Sequence, residues 1–405
     1  MNAPEPQVTA IAGQGAAPSR VRSAATVALL VAVLHGFNDA YAAFLHPLLP
    51  RIMDRLGLSI ALAATLAMTL SLAASLVQPV MGWLADRYGH RVFVVAGPAL
   101  SGVFLSLIGA VPSFGLLLLC LALGGLGSAA YHPPAASLAA RVAEGKGSGA
   151  RFSVFSFGGA AGYAIGPLAA VGIVSTLGLE RLWIAMVPVL VFACISYPLL
   201  PAGRSQIGTV KPPSASGVLR LLRGPLGLIF GISAIGAFLQ RVFLTMQPII
   251  VNDAGGSEAL GALSLSVYLG GQAFGTLASG TLSDRMDRRK LMAGLSLLAV
   301  PAHLAAFTMD AGSLHGLAFV AIAGSLNMAL LPPVVVMAQE LVPSGAAFTS
   351  GIVMGLAWAA GSVGVLGTGV LGDLMGARGA ALVSVPFMLV ATALAMLLKR
   401  TARAP

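Results

Sequence analysis

The chain has 405 residues, of which 57% are apolar and only 9% charged, with 50 glycines among them. A soluble domain carries roughly 25% charged residues, so most of this chain must face lipid or another helix, and no sizeable soluble domain fits. The formal net charge of +10 would suit a nucleic-acid partner, but the basic residues cluster where membrane topology puts them, which argues against one.

Residues 1–23, rich in Pro, Gly, Ala and Gln and holding Arg20 and Arg22, read as a disordered cytoplasmic tail. A helix needs about 20 apolar residues to cross a bilayer. By that measure twelve spans follow, at 24–50, 59–84, 92–111, 114–140, 150–176, 181–201, 225–250, 258–282, 291–309, 314–340, 345–372 and 379–398. The first is too long for a cleaved signal peptide. Residues 24–201 make an N-terminal six-helix bundle and 225–398 a C-terminal one. The Gly, Pro, Ser and basic stretch 202–224 reads as a cytoplasmic linker, and 399–405 as a short cytoplasmic tail. Cys120 and Cys194 fall inside apolar segments, so neither a disulfide framework nor a Cys-based zinc site is on offer. With both termini inside, only Arg51, Arg55, Arg181 and Arg378 lie on the outer side and Arg241 alone lies within a span, out of 23 Lys and Arg. That bias sets the orientation by the positive-inside rule.

The loop after span 2 reads Gly82-Trp83-Leu84-Ala85-Asp86-Arg87-Tyr88-Gly89-His90-Arg91. It returns after span 8 as Gly280-Thr281-Leu282-Ser283-Asp284-Arg285-Met286-Asp287-Arg288-Arg289. The repeat extends further. Phe37 to Pro47 matches Phe238 to Pro248, Pro133-Pro134 in span 4 matches Pro332-Pro333 in span 10, and Arg141 matches Glu340. A duplicated polytopic chain with this loop in both halves reads as a transporter. It resembles the major facilitator superfamily, whose two pseudo-symmetric six-helix bundles give an all-α membrane fold.

Four segments resemble, more narrowly, the fosmidomycin-resistance type of facilitator: Leu34-His35-Gly36-Phe37-Asn38-Asp39, Ser75-Leu76-Val77-Gln78-Pro79-Val80-Met81-Gly82, Gly127-Ser128-Ala129-Ala130-Tyr131-His132-Pro133 and Ala338-Gln339-Glu340-Leu341-Val342-Pro343. That resemblance implies export across a bacterial inner membrane. The chain departs from it in span 4, where Pro134 and Ser137 stand in place of a Glu and an Arg.

Polar groups inside a span need a partner or a wet cavity. In span 1, His35, Asn38, Asp39 and His46 fall on one helix face, with Tyr41 close by. Asp39, near mid-span, is the candidate proton-coupling group, because low dielectric penalises its charge; a fixed ion pair between two helices is the alternative reading. Arg241, next to the position that matches Asp39 in span 7, is the expected counter-ion, or else a clamp for an anionic substrate. His35, Asn38, Tyr41, His132, Gln240, Arg241 and Gln247 form the candidate substrate-binding set, although Gln240 and Gln247 can equally serve as glue between helices. Pro133 and Pro134 are expected to break span 4 and free the carbonyls of Ala129 and Ala130; Pro332 and Pro333 should do the same to Met328 and Ala329 in span 10. His303 and His315 stand in no such pattern and read as structural.

By resemblance, Gly82, Asp86, Arg87 and Arg91 form a latch that shuts the cytoplasmic side when the cavity opens outward. Gly280, Asp284, Arg285 and Arg288 repeat it, with Asp287 as an extra acid. In span 5, Gly158-Gly159, Gly162, Gly166 and Pro167 resemble the Gly-Pro element of antiporters, while Ala169 and Ala170 replace its last glycines; plain close packing is the other reading. No Gly-x-x-x-x-Gly-Lys-Ser/Thr loop is present, so ATP is not the expected energy source. The six histidines are scattered, and neither His-Glu-x-x-His nor Gly-x-Ser-x-Gly occurs, which argues against an enzyme. The expectation is a monomeric, proton-coupled, multi-pass inner-membrane protein without cofactor, both termini cytoplasmic, exporting a drug, an antibiotic or a secreted metabolite such as a siderophore. The alternative is a symporter that imports a small organic anion.

Overall fold

The computed structural model describes residues 23–142, 148–201, 215–341 and 349–398. The expected N-terminal tail up to residue 22, the linker residues 202–214 and the C-terminal tail 399–405 lie outside them, as do 143–147 and 342–348. Helices and turns make up everything described, with no strand among the described residues.

In chain order the crossing helices are α1 Ala24–Leu56, α2 Ile60–Leu76 with Gln78–Tyr88, α3 His90–Leu107, α4 Phe114–Val142, α5 Ser148–Leu177 and α6 Leu179–Leu199. The second half follows with α7 Pro225–Asp253, α8 Glu258–Arg285, α9 Arg288–Thr308, α10 Leu314–Leu341, and α11 and α12, the two limbs of Gly351–Leu397. A short helix, Ala215–Leu222, leads into α7. Nine stretches among the described residues are long and apolar enough to cross a bilayer, and the two pieces of α2, bent by 42°, make a tenth. The α8 helix is equally long but richer in Ser, Thr and Gln.

The remaining crossing comes from Gly376. Its φ of 79° and ψ of 159° reverse the chain between α11 and α12. The hydroxyls of Thr368 and Ser384 lie 3.1 Å apart, whereas a straight helix would hold residues at that spacing about 24 Å apart. Gly178 (φ 87°) turns α5 into α6 at the matching place in the first half. Only glycine adopts the Gly376 conformation freely, so Gly376→Ala is expected to destabilise the fold by about 1–3 kcal/mol, read as a lower Tm in detergent. Helix starts repeat as well. Ser59 caps α2 through the Leu62 amide, and Ser257 caps α8 through the Leu260 amide.

Lipid tails are as apolar as leucine, so close approach between helices, not exclusion from water, holds such a bundle together. Glycines make that approach possible. A Cβ on Gly158, Gly162 or Gly166 of α5 would collide with the carbonyl oxygens of Ala32, Gly36 and Ala40 of α1, in that order. The stripe that resembles an antiporter element is therefore, in this structure, the contact surface between α5 and α1. Helices α8 and α10 pack the same way, through Gly271 and Gly275 against Ala321 and Ser325.

The expected helix breaks differ between the halves. Helix α4 runs through Pro133 and Pro134 without interruption, whereas α10 is interrupted between Met328 and Leu331. There the Ser279 hydroxyl of α8 donates to the freed carbonyl of Ala329. In α4, Pro133 instead packs against Gly82, which has no side chain to hold it off.

Several of the described contacts that join the halves lie at the face bearing the turns at Gly57, Gly178, Gly255 and Gly376, called here the far face. The opposite, terminus face carries Ser23 and Leu398, the first and last described residues. At the far face, Arg51 Nε donates to Glu258 Oε1 at 2.6 Å. Asp373 of α11 accepts from the Ile60 amide (2.7 Å) and the Ala61 amide (3.3 Å) at the start of α2, where the helix dipole favours a carboxylate. Gly369 lies directly on α2: a Cβ there would stand 2.5 Å from Ala64 Cβ and 2.9 Å from Ala61 Cα.

Candidate functional site

Helix α1 presents His35, Asn38 and Asp39 to α4 and α5. Asp39 Oδ2 stands 3.3 Å from His35 Nε2, and Oδ1 stands 3.3 Å from His132 Nε2 of α4. Asn38 holds the carboxylate in place: its Nδ2 donates to Asp39 Oδ1 at 2.9 Å and to Ser128 Oγ at 3.1 Å. The Asn38 oxygen in turn accepts from Ser101 at 3.1 Å. Each ring is fixed from behind. His35 Nδ1 meets the Phe155 carbonyl, and its ring stacks on Phe155 with centroids 4.4 Å apart; His132 Nδ1 meets the Ser128 carbonyl, both at 2.9 Å. Asn38 is fully buried, while the side chains of Asp39 and His132 keep 19% and 32% exposure, so the centre reaches open space.

The expected Asp39–Arg241 pair does not form. Two histidines take Asp39, and Arg241 of α7 lies elsewhere. Its Nη1 donates to the Tyr163 hydroxyl of α5 at 3.0 Å, and its guanidinium sits 5.9 Å from the Trp358 ring centroid of α11. Its Nε is buried without a partner. Helix α5 links the two charged groups. Gly159 lies against His35 and Asp39, and Tyr163 is one turn further on, about 6 Å along the helix.

The other expected residues divide. Gln240 donates to Gln272 Oε1 at 2.8 Å, and Asn327, on the far side of Gln272, donates to the Gly236 carbonyl at 3.0 Å. Asn327 follows the repeat from Ser128, so the second half holds a neutral counterpart of the charged centre. Gln240 and Asn327 line a cavity of ≈ 20 Å³, room for about one water molecule. Gln247 bonds Ser264 of α8 and is buried between helices, the glue reading. Tyr41 is not in the site: it is buried in the core of the first half, where its hydroxyl donates to the Ala185 carbonyl. His46 is buried in the 3-10 turn His46–Leu48, and His303 is buried against Tyr268.

The described contacts of Asp86, Arg87, Arg91 and Arg288 lie within their own halves. Asp86 lies 3.2 Å from His90 Nε2, Arg87 lies over Trp83 and Tyr88, and Arg91 lies 4.2 Å over the Tyr197 ring. Arg288 pairs with Glu340 at 2.6 Å. Gly280 faces open space, unlike Gly82, and Asp284 and Arg285 are exposed. Sequence reading missed Ser101, Gln272, Asn327, Tyr163 and Trp358. The first three were open to detection as polar residues inside spans; the two aromatics carried no signal.

A bundle of crossing helices in two related halves, with Asp39 and Arg241 held inside it, defines a multi-pass membrane transporter rather than an enzyme. The chain belongs to the major facilitator superfamily, whose family model matches residues 28–240 and 226–405. It is 28% identical over 373 residues to the fosmidomycin resistance protein of Escherichia coli (strain K12), covering 90% of each chain. It is also 28% identical over 389 residues to the uncharacterized MFS-type transporter YfnC of Bacillus subtilis (strain 168), covering 92% of each. The multidrug resistance protein MdtH of Yersinia enterocolitica matches over about half of each chain, at 27% identity. Among solved structures, a bacterial homolog of the human lysosomal transporter Spinster superposes with a TM-score of 0.79 at 19% identity, over 96% of this chain and 100% of that one. A D-xylose-proton symporter does so at 0.70 and 16%, over 90% and 96%.

Proposed function

We propose that the chain is a proton-driven secondary exporter of the bacterial inner membrane that moves a small organic molecule, a drug, antibiotic or secreted metabolite such as a siderophore, by alternating access. The observation that carries this reading is where the described contacts fall: Arg51–Glu258, Asp373 on the start of α2 and the Gly369 crossing tie the halves at the far face, while the described contacts of Asp86, Arg87, Arg91 and Arg288 on the terminus face stay within their halves. Basic residues crowd the terminus face, which makes that face cytoplasmic by the positive-inside rule. A carrier tied at its outer face in this way is set to receive cargo from the cytoplasm, which supports export over uptake. Two relatives named for resistance support the outward direction. In this reading, the His35–Asp39–His132 centre and Arg241 line the route from opposite halves, and the unpartnered Arg241 Nε meets an anionic part of the cargo.

Acid-loaded inverted vesicles test the proposal. Adding a panel of antibiotics and hydroxamate or catecholate metabolites is expected to release protons with at least one compound, which accumulates in the vesicle. Accumulation that needs ATP and leaves the gradient intact, or movement only in the opposite direction, overturns it.

A further inference from the structure

At the charged centre, three donors from two helices converge: the ligand atoms of His35, Asp39 and His132 all lie within 4.8 Å of one another. Each ring has only one nitrogen to spare. Backbone carbonyls accept and never donate, so the carbonyls of Phe155 and Ser128 require the proton on both Nδ1 atoms. In the neutral rings Nε2 is then a lone pair, and both lone pairs point at carboxylate oxygens, which are acceptors too. Such a group is repulsive unless a proton or a metal ion stands within it.

Distances separate the two kinds of cation. A charge-assisted N–H···O bond is about 2.7–2.9 Å long, and Asn38 reaches this same carboxylate at 2.9 Å. Both rings stop at 3.3 Å, His35 at Oδ2 and His132 at Oδ1, so an ion held between them would meet both carboxylate oxygens. Around a four-coordinate zinc ion, with donors about 2.0–2.2 Å from the metal, neighbouring donors stand roughly 3.3–3.6 Å apart. The surroundings agree. A metal-bound histidine gives its other N–H to a carbonyl or carboxylate, and a ligating carboxylate is itself held by a hydrogen bond; Phe155, Ser128 and Asn38 supply all three. Gly159 keeps the place clear, since a Cβ there would lie 2.5 Å from His35 Nε2 and 2.8 Å from Asp39 Oδ2.

We infer that His35, Asp39 and His132 bind a divalent first-row transition-metal ion of the zinc class. Three protein ligands leave a coordination position open, as in sites that take a further ligand. The exposure of Asp39 and His132 turns that position toward open space, so a cargo bearing an oxygen or nitrogen donor can complete the shell. That last step rests on the export reading; the ion site does not.

The test is therefore made without transport, on the full chain in detergent, purified without a polyhistidine tag and desalted after exposure to micromolar zinc. The wild type and the exposed-site control His315→Gln are expected to retain one zinc per chain by elemental analysis, and cobalt is expected to give the absorption bands of nitrogen and oxygen coordination. Asp39→Asn and His132→Gln, each eluting as a folded monodisperse species, are expected to lose more than about 100-fold in affinity, and Asn38→Ala about 10-fold. A wild type that retains no zinc overturns the inference, as do ligand variants that bind as tightly as the wild type.

Discussion

Gly369→Leu is expected to force the far face open. Gly369 lies at the crossing of α11 and α2, one helix from each half, and even a Cβ would come within 2.5 Å of Ala64. A leucine there cannot be absorbed by a rotamer change, because Ala61 Cα stands at 2.9 Å on the same side. Overpacking costs typically 1–3 kcal/mol. Since the contact exists only while the far face is closed, the whole cost falls on that state, and a coupling of 1–3 kcal/mol moves an equilibrium about 5–150-fold. Spin labels on the far-face ends of α2 and α11 should therefore show the longer distance as the main population. The ties from Asp373 and Arg51 are weaker, because both sit at an exposed rim.

Gly162→Val acts on a crossing of the same kind, with a different consequence. Its Cβ would meet the Gly36 carbonyl, and both helices, α5 and α1, belong to one half. No conformational change of the carrier relieves the clash. The variant is expected to lose about 3 kcal/mol or more of stability. It also pushes α5 away from α1, and with it the Phe155 carbonyl that fixes His35. A sharply lower Tm in detergent with loss of the charged centre is the predicted result. An unchanged Tm would mean that the crossing is not as close as described. Gly369→Leu should instead leave the Tm nearly intact while shifting the distances, and that contrast separates a contact within a half from one between halves.

The repeat made the fold legible before any coordinates. Two charged loops and matched prolines define two halves, and apolar length alone finds most of the crossings. The α8 helix is a partial exception, since its Ser, Thr and Gln residues dilute the apolar signal while its packing against α10 uses glycines. At the site, helix periodicity placed His35, Asn38 and Asp39 on one face, and His132 was marked by its prolines. What periodicity cannot give is which groups meet across helices. Arg241 lies one residue from the position matching Asp39, yet that single residue turns it about 100° around α7, toward Tyr163 and Trp358. Tyr41, two residues from Asp39, points away into the core for the same reason. Pro133-Pro134 and Pro332-Pro333 look alike in sequence, but only the second pair goes with an interrupted helix, in which Ser279 meets a freed carbonyl. The metal-type geometry was hidden because its ligands come from α1 and α4, far apart in the chain.

Transport by centre variants in inverted vesicles is the most direct test of the whole account. It compares the wild type and Gln247→Ala with Asp39→Asn and His132→Gln, each matched for amount inserted and for Tm. Cargo is expected to move with the first two, and the centre variants to lose roughly 100-fold or more of that movement. Wild-type rates in folded Asp39→Asn and His132→Gln would contradict it, because the charged centre would then have no part in carrying cargo.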